Sequence, residues 1–243
     1  LMFRLNVIPD NSLIQSTFKI THGQSTGTCF QYVHLVGNVG NIFLVTVKHL
    51  FPNVQSGTQV TIGITTDNGL NQITGTIYFH QKANIDIGII KITTPLVPYF
   101  KFHHDKFAIG QESFFCGFPY GFAIESVGIN NGYPFPLVKR ASISAYSPKL
   151  QLYTFDGHNN PGFSGSPIGF HDIDKKETHI VGVVYSYHGQ TNTMTIGNNT
   201  FTYSENSGIF FAYSFALVFD ILKDLSTQGL LDTQVGTTPQ QNA

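Results

Sequence analysis

Tryptophan is absent from this chain, and cysteine and methionine occur only twice each. The two cysteines, Cys29 and Cys116, cannot make a disulfide framework, which excludes the small secreted scaffolds held together by several bridges. Both are flanked by apolar residues and are expected as buried thiols, with a single bridge between them as the less favoured alternative. Charge is scarce as well: Asp, Glu, Lys and Arg make up 11% of the chain, where about 25% is usual, and the net charge is −1. Such a chain lacks the basic footprint of a nucleic-acid binder, so no nucleic-acid partner is expected. No apolar run reaches the roughly eighteen residues of a membrane-spanning helix. The nearest, Ile209 to Val218, runs into Asp220 and Lys223. At the N-terminal end Arg4, Asn6 and Asp10 interrupt any secretory apolar stretch. The expectation is a soluble chain without a signal peptide, a spanning segment or a membrane partner, in a compartment the sequence does not specify.

What is present is phenylalanine, tyrosine, glycine and uncharged polar residues, arranged as short apolar runs between Gly, Asn, Pro and Thr clusters. Val60 to Ile64, Ile73 to Phe79, Phe114 to Phe118, Ala141 to Tyr146 and Leu150 to Phe155 read as strands, and their spacing favours a barrel or sandwich. The 243 residues suffice for one all-β domain with a sizeable core. Phe215 to Leu225 is the one convincing helix, because Phe215, Val218, Phe219, Leu222 and Leu225 share a face. It is expected to pack on the second half of the domain. Leu1 to Lys19 reads as a lead-in strand or a short helix. From Ser226 the chain turns polar and reads as a flexible tail or linker over 226–243.

The segment with the most chemistry is Asn160-Pro161-Gly162-Phe163-Ser164-Gly165-Ser166-Pro167. A serine hydroxyl is a weak nucleophile until a base and a fixed geometry activate it. Glycine at 162 lets the backbone turn so that N–H groups converge beside the Ser164 hydroxyl, where they can hold an oxyanion. A base and an orienting acid should lie upstream. His49 closes the strand-like run Ile42 to Val47, ahead of a loop marked by Pro52. Asp86 precedes the apolar run Ile87 to Ile92, which sets its carboxylate at the edge of a core, where an acid needs a partner. Taken singly, His49 and Asp86 have ordinary structural readings, a satisfied polar residue and a cap. Taken together in the order His49, Asp86, Ser164, they make a proton relay onto an alcohol.

With these residues in place the chain resembles the trypsin/chymotrypsin superfamily, most closely its bacterial Deg/Htr and trypsin-like peptidase branch. Val45-Thr46-Val47-Lys48-His49 resembles that branch's strand ending in T-x-x-H. Asp86 to Ile92 resembles D-I-A-L-L-K-I, and Gly117 to Gly121 resembles G-x-P-x-G. Asp156 to Pro167 resembles D-x-x-x-N-P-G-N-S-G-G-P, and Gly208 to Tyr213 resembles G-I-G-F-A-I. The resemblance spans most of the chain. It implies a single protease domain over 1–243, all-β, with two antiparallel six-stranded β-barrels (chymotrypsin-like) at about 20–100 and 110–214 and a C-terminal helix at 215–225. It further implies catalytic roles for His49, Asp86 and Ser164, an oxyanion hole from the N–H groups of Gly162 and Ser164, and no cofactor or metal. The partner would be a peptide or protein substrate, paired by its backbone with Tyr185, Ser186 and Tyr187.

The chain departs from the family pattern at three places. Phe163 replaces the Asp or Asn usual before the nucleophile, so activation by a new N-terminal amine is not expected. Ser166 replaces the second glycine. Phe210 replaces a glycine of the primary specificity pocket, and with its ring inward that pocket is shallow. His158, six residues before Ser164, stands where the family places the base of the pocket. It either binds an acidic or polar side chain or rests in the wall. Asn159 and His188 are weaker pocket candidates. Neither His103-His104-Asp105 nor the run His171 to His179 has metal-ligand spacing, and Lys139-Arg140 reads as a surface pair. The expected function is a serine endopeptidase acting through an acyl-enzyme at Ser164. The alternatives are a catalytically silent trypsin-like barrel that binds extended peptides, favoured by Phe163 and Phe210, and an esterase using the same residues.

Overall fold

The computed structural model describes residues 7–8 by their backbone, and 11–104, 107–197 and 199–233. Short strand β1 (Val7–Ile8) and helix α1 (Asn11–Gln15) lead into β2 (Thr17–His22). Five strands follow: β3 (Ser25–Val36), β4 (Val39–Thr46), β5 (Thr58–Thr66), β6 (Gly69–Phe79) and β7 (Gly88–Ile92). The order β2-β3-β4-β7-β6-β5 closes into a barrel through the pairs Ile20↔Ile64 and Thr21↔Gly63. Alternating residues such as Phe18, Ile20, Val45, Ile62, Ile64, Ile77 and Ile90 fill its interior.

The second half holds β8 (Phe102–His103), β9 (Glu112–Gly117), β10 (Leu137–Ser147) and β11 (Leu152–Asp156). It continues with β12 (Pro167–Asp172), β13 (Glu177–Ile196) and β14 (Asn199–Ser214). These strands and β1 form a sheet of eight, ordered β1-β12-β9-β10-β11-β14-β13-β8, and an added β12–β13 pairing turns its middle six strands into a second ring. Its core is built on phenyl rings: Phe115, Phe155, Phe163 and Phe210 are fully buried together. The expected all-β, two-barrel architecture with a C-terminal helix is what the chain adopts.

The helix does not dock where the sequence suggested. Helix α2 (Ala216–Thr227) buries Leu217, Val218, Ile221, Leu222 and Leu225 in the cluster of the first barrel. Phe215 leads it there by packing on Phe30 at 6.1 Å and Tyr32 at 5.1 Å. Amphipathicity says which face is buried and carries no information about which surface receives it. Beyond the helix, Leu231 is buried, Asn41 exchanges two hydrogen bonds with the Asp232 backbone, and Lys91 pairs with the Asp232 carboxylate at 3.0 Å. Ser226 to Asp232, read from composition as part of a tail, is therefore tied to the first barrel; the rest of that expected tail, 234–243, lies outside the described residues. Asp105 of the His103-His104-Asp105 run lies outside them as well.

Cys29 and Cys116 are free thiols with no measurable exposure. Burial in apolar surroundings pushes the Cys116 thiol up to about 12 and the Cys29 thiol higher still. Neither should react with a water-soluble disulfide reagent at neutral pH while the chain is folded, and both should react in guanidinium; rapid stoichiometric labelling of the folded protein would contradict this packing.

Candidate active site

His49 sits in a single 3₁₀ turn, Lys48–Leu50, directly after β4. Leu50 and Phe51 are buried and fasten the turn, which leaves the imidazole outside, with its side chain 46% exposed. Asp86 lies in the loop before β7. Ile85 and Ile87 on either side of it are buried, so the alternation turns the carboxylate outward to the cleft. The hydroxyl of Tyr213, from β14, donates to the Asn84 carbonyl at 3.1 Å and holds this loop. Burial, followed by the neighbouring Tyr185, pushes the Tyr213 phenol up to about 12, which keeps it a neutral donor.

The two residues meet twice. The His49 backbone N–H donates to Asp86 Oδ1 at 2.8 Å, and the ring Nδ1 lies 2.6 Å from Oδ2. A carboxylate only accepts, so Nδ1 carries the proton, and in the neutral ring Nε2 presents a lone pair. The backbone contact occupies the other oxygen, which fixes the carboxylate plane and through it the ring.

Ser164 is positioned by a connection between the barrels that sequence reading missed. Thr28 of β3 donates its N–H to the Ser164 carbonyl at 2.9 Å and its hydroxyl to the Gly162 carbonyl at 2.8 Å. The same hydroxyl accepts from the Phe118 N–H, and the Thr28 carbonyl accepts from Thr46. Gly165, at φ +89°, makes the approach feasible, since a Cβ there would stand 2.0 Å from the Thr28 carbonyl oxygen. Gly27 does the same for the histidine turn: a Cβ on it would strike Leu50 at 2.6 Å and the Ser164 carbonyl at 3.0 Å. The turn bearing His49 and the loop bearing Ser164 therefore abut one glycine. The Ser164 hydroxyl itself is rotated toward the Tyr185 carbonyl, 3.4 Å away, and among the described residues that is its one hydrogen bond. No direct bond joins it to His49 in this structure.

Two backbone N–H groups beside Ser164, those of Gly162 and Ser164, have no acceptor among the described residues, while the intervening Phe163 N–H bonds Asn160. The Pro161 carbonyl is held by the Tyr120 N–H at 2.7 Å. In a trans peptide C=O and N–H point in opposite directions, so this bond fixes the Gly162 N–H on the face away from Tyr120. Gly162 has φ +101°, and a Cβ on it would lie 2.3 Å from the Phe118 carbonyl oxygen. Phe163, one of the three departures noted in the sequence, is a plug. Its ring enters the second barrel, 4.8 Å edge-to-face from Phe115, and anchors the loop through apolar burial.

The expected pocket residues diverge. Phe210 has its ring inward, stacked on Phe155 at 5.0 Å and packed on Phe115, so it belongs to the barrel core. His158 is exposed, and its side chain makes no hydrogen bond among the described residues. Asn159 is buried with its Oδ1 unpartnered, and its carbonyl accepts from Asn206. Ser186 is half-buried; Tyr187 and His188 are exposed. Strand β13 pairs with β12 as far as Val183 and with β14 from Gly182 onward, which leaves one edge of Tyr185 to Tyr187 without a strand partner among the described residues. Lys139, read from sequence as a surface residue, reaches inward. It donates to the His158 carbonyl at 2.5 Å and to Asn160 Oδ1 at 2.7 Å, with the Phe163 ring below it, and burial lowers its pKa. Arg140 points out and pairs with Glu112.

No protein-family model matches this chain, and no curated protein matches it. Solved structures do. The inactive form of the Rv3671c protease superimposes with a TM-score of 0.53 at 16% identity, covering 87% of this chain and 89% of that one. A serine-to-alanine mutant of Rv3671c from M. tuberculosis H37Rv, also in an inactive form, gives 0.52 at 14% identity and covers 93% and 98%. At these identities the likeness carries the fold alone, the chymotrypsin-like one. Among the described residues no group of His, Cys, Asp and Glu is arranged to hold a metal, and no helix is long and apolar enough to cross a membrane.

Proposed function

We propose that this chain is a serine endopeptidase that cleaves peptide bonds through an acyl-enzyme at Ser164. The observation that carries the proposal is the doubly bonded His49–Asp86 pair, on a turn that abuts the same glycine as the Ser164 loop. Catalysis requires that rotation about χ1 free the Ser164 hydroxyl from Tyr185 and turn it to the imidazole. Such rotations are fast, and unliganded sites often hold these bonds slack. His49 takes the hydroxyl proton as Oγ attacks the carbonyl carbon. The oxyanion is received by the N–H groups of Gly162 and Ser164. The imidazolium, stabilised by Asp86, returns the proton to the departing amine, and water repeats the sequence to release the acid. An extended substrate pairs with the open edge at Tyr185 to Tyr187. The sequence motifs support a place near the Deg/Htr and trypsin-like peptidase branch.

One observation favours a silent peptide-binding barrel: the Ser164 hydroxyl is directed at the Tyr185 carbonyl. A fluorophosphonate probe separates the readings. The peptidase acquires one covalent label, located at Ser164 by peptide mapping, whereas a binding module stays unlabelled, and that outcome would overturn the proposal.

A further inference from the structure

Beside the oxyanion loop lies a cleft of about 360 Å³ lined by Lys19, Thr26, Tyr120, Gly121, Pro161 and Gly162. Its size falls in the range of ligand pockets, about 300–1,000 Å³. Lys19 is on β2 between Phe18 and Ile20, both buried inside the first barrel, so strand alternation places the lysine outside, facing this cleft. Its ammonium donates to the Gly121 carbonyl at 2.7 Å, and among the described residues no carboxylate pairs with it. An ammonium has three donors, so two are left over. Tyr120 stands across the cleft, 67% exposed, with its hydroxyl accepting from the Asn160 amide at 3.3 Å and its own proton unassigned to any acceptor. Two spare donor groups, one of them cationic, thus belong to side chains that line a space reaching Gly162.

The position of that space sets what can enter it. A substrate whose scissile carbonyl lies at the Gly162 and Ser164 N–H groups has one flank along the β13 edge at Tyr185 to Tyr187. Its other flank would leave past Gly162, and Lys19 lies close by: a Cβ on Gly162 would meet the Tyr120 backbone, and one on Gly121 would meet the Lys19 ammonium. Resting on the serine-peptidase reading above, we propose that the cleft is a leaving-side subsite selective for acidic side chains. Lys19 supplies the charge and the Tyr120 hydroxyl a second donor, so the preferred substrates carry Asp or Glu in the first two positions after the cut.

The experiment profiles a peptide library with the wild-type chain, Lys19→Arg and Lys19→Glu, sequencing the cleavage products, with fluorophosphonate labelling of the wild type alongside. The wild type should prefer Asp or Glu over Lys or Arg on the leaving side by about three- to fivefold in kcat/KM, the scale of a partly exposed ion pair. Lys19→Arg should keep the preference, and Lys19→Glu should invert it, which loss of folding cannot do. A wild type that labels and cleaves without a leaving-side charge preference, or a preference unchanged in Lys19→Glu, overturns the subsite and leaves the peptidase standing. A wild type that neither labels nor cleaves overturns both.

Discussion

Ser164→Ala should lower kcat by about six orders of magnitude, the scale seen when the nucleophile of such a triad is deleted. The expectation follows from what the hydroxyl does and does not touch. Its one hydrogen bond is the 3.4 Å contact to the Tyr185 carbonyl, so its removal leaves no strong interaction unmet. The elements that hold the loop survive the change: the Thr28 bonds to the Gly162 and Ser164 carbonyls, the Gly165 N–H to Val184, and the Phe163 ring in its barrel. The melting temperature should therefore move by no more than about 2 °C, less than 1 kcal/mol for a domain of this size. The measurement is single-turnover cleavage of the best library peptide together with a thermal melt. Turnover within tenfold of the wild type, with the fold intact, would sink the assignment of Ser164.

Asp86→Asn should cost about 10⁴ in kcat while changing KM little. Asp86 Oδ1 accepts the His49 backbone N–H, and that donor is present whatever the side chain at 86. An asparagine must offer its single oxygen there, which turns its NH₂ toward Nδ1. Two donors cannot face each other, so Nδ1 becomes the acceptor and the ring proton moves to Nε2. In that tautomer the imidazole cannot take the serine proton. Asp86→Ala is the useful comparison, because it removes the acid without imposing a tautomer and should be less damaging than the amide at high pH. If Asp86→Asn retained more than a tenth of wild-type kcat, the orienting role assigned to Asp86 would be wrong. These two effects outweigh the rest because each removes a group whose action is concentrated in the transition state.

Part of this molecule could be read directly from the order of its residues. Strand alternation identified the segments that build both barrels, and the Gly162–Gly165 spacing identified the loop that turns tightly. The long hairpin from Gln190 to Ser204 was overlooked, although its signal is local: Thr191, Thr193, Thr195, Thr200, Thr202 and Ser204 share one face, and Met194, Ile196, Phe201 and Tyr203 share the other. The pocket residues were harder. Phe210 and His158 hold positions where a family pattern suggests lining, but whether a side chain points into a barrel or out of it depends on β-bulges and on what fills the core opposite, here Phe155 and Phe115.

By itself the sequence determined the all-β class, the strand segments, the candidate trio His49, Asp86 and Ser164, and the buried state of both thiols, because periodicity, turn chemistry and apolar flanks act between near neighbours. Tertiary structure alone decided that α2 covers the first barrel, that Thr28 bolts the Ser164 loop to β3, that Phe163 plugs the second barrel, and that Lys19 lines a cleft with Gly162. Each of these is a contact between residues roughly fifty or more positions apart, or a choice between two apolar surfaces of similar chemistry. Such choices are settled by close packing of the whole chain, to which a local pattern contributes only one side.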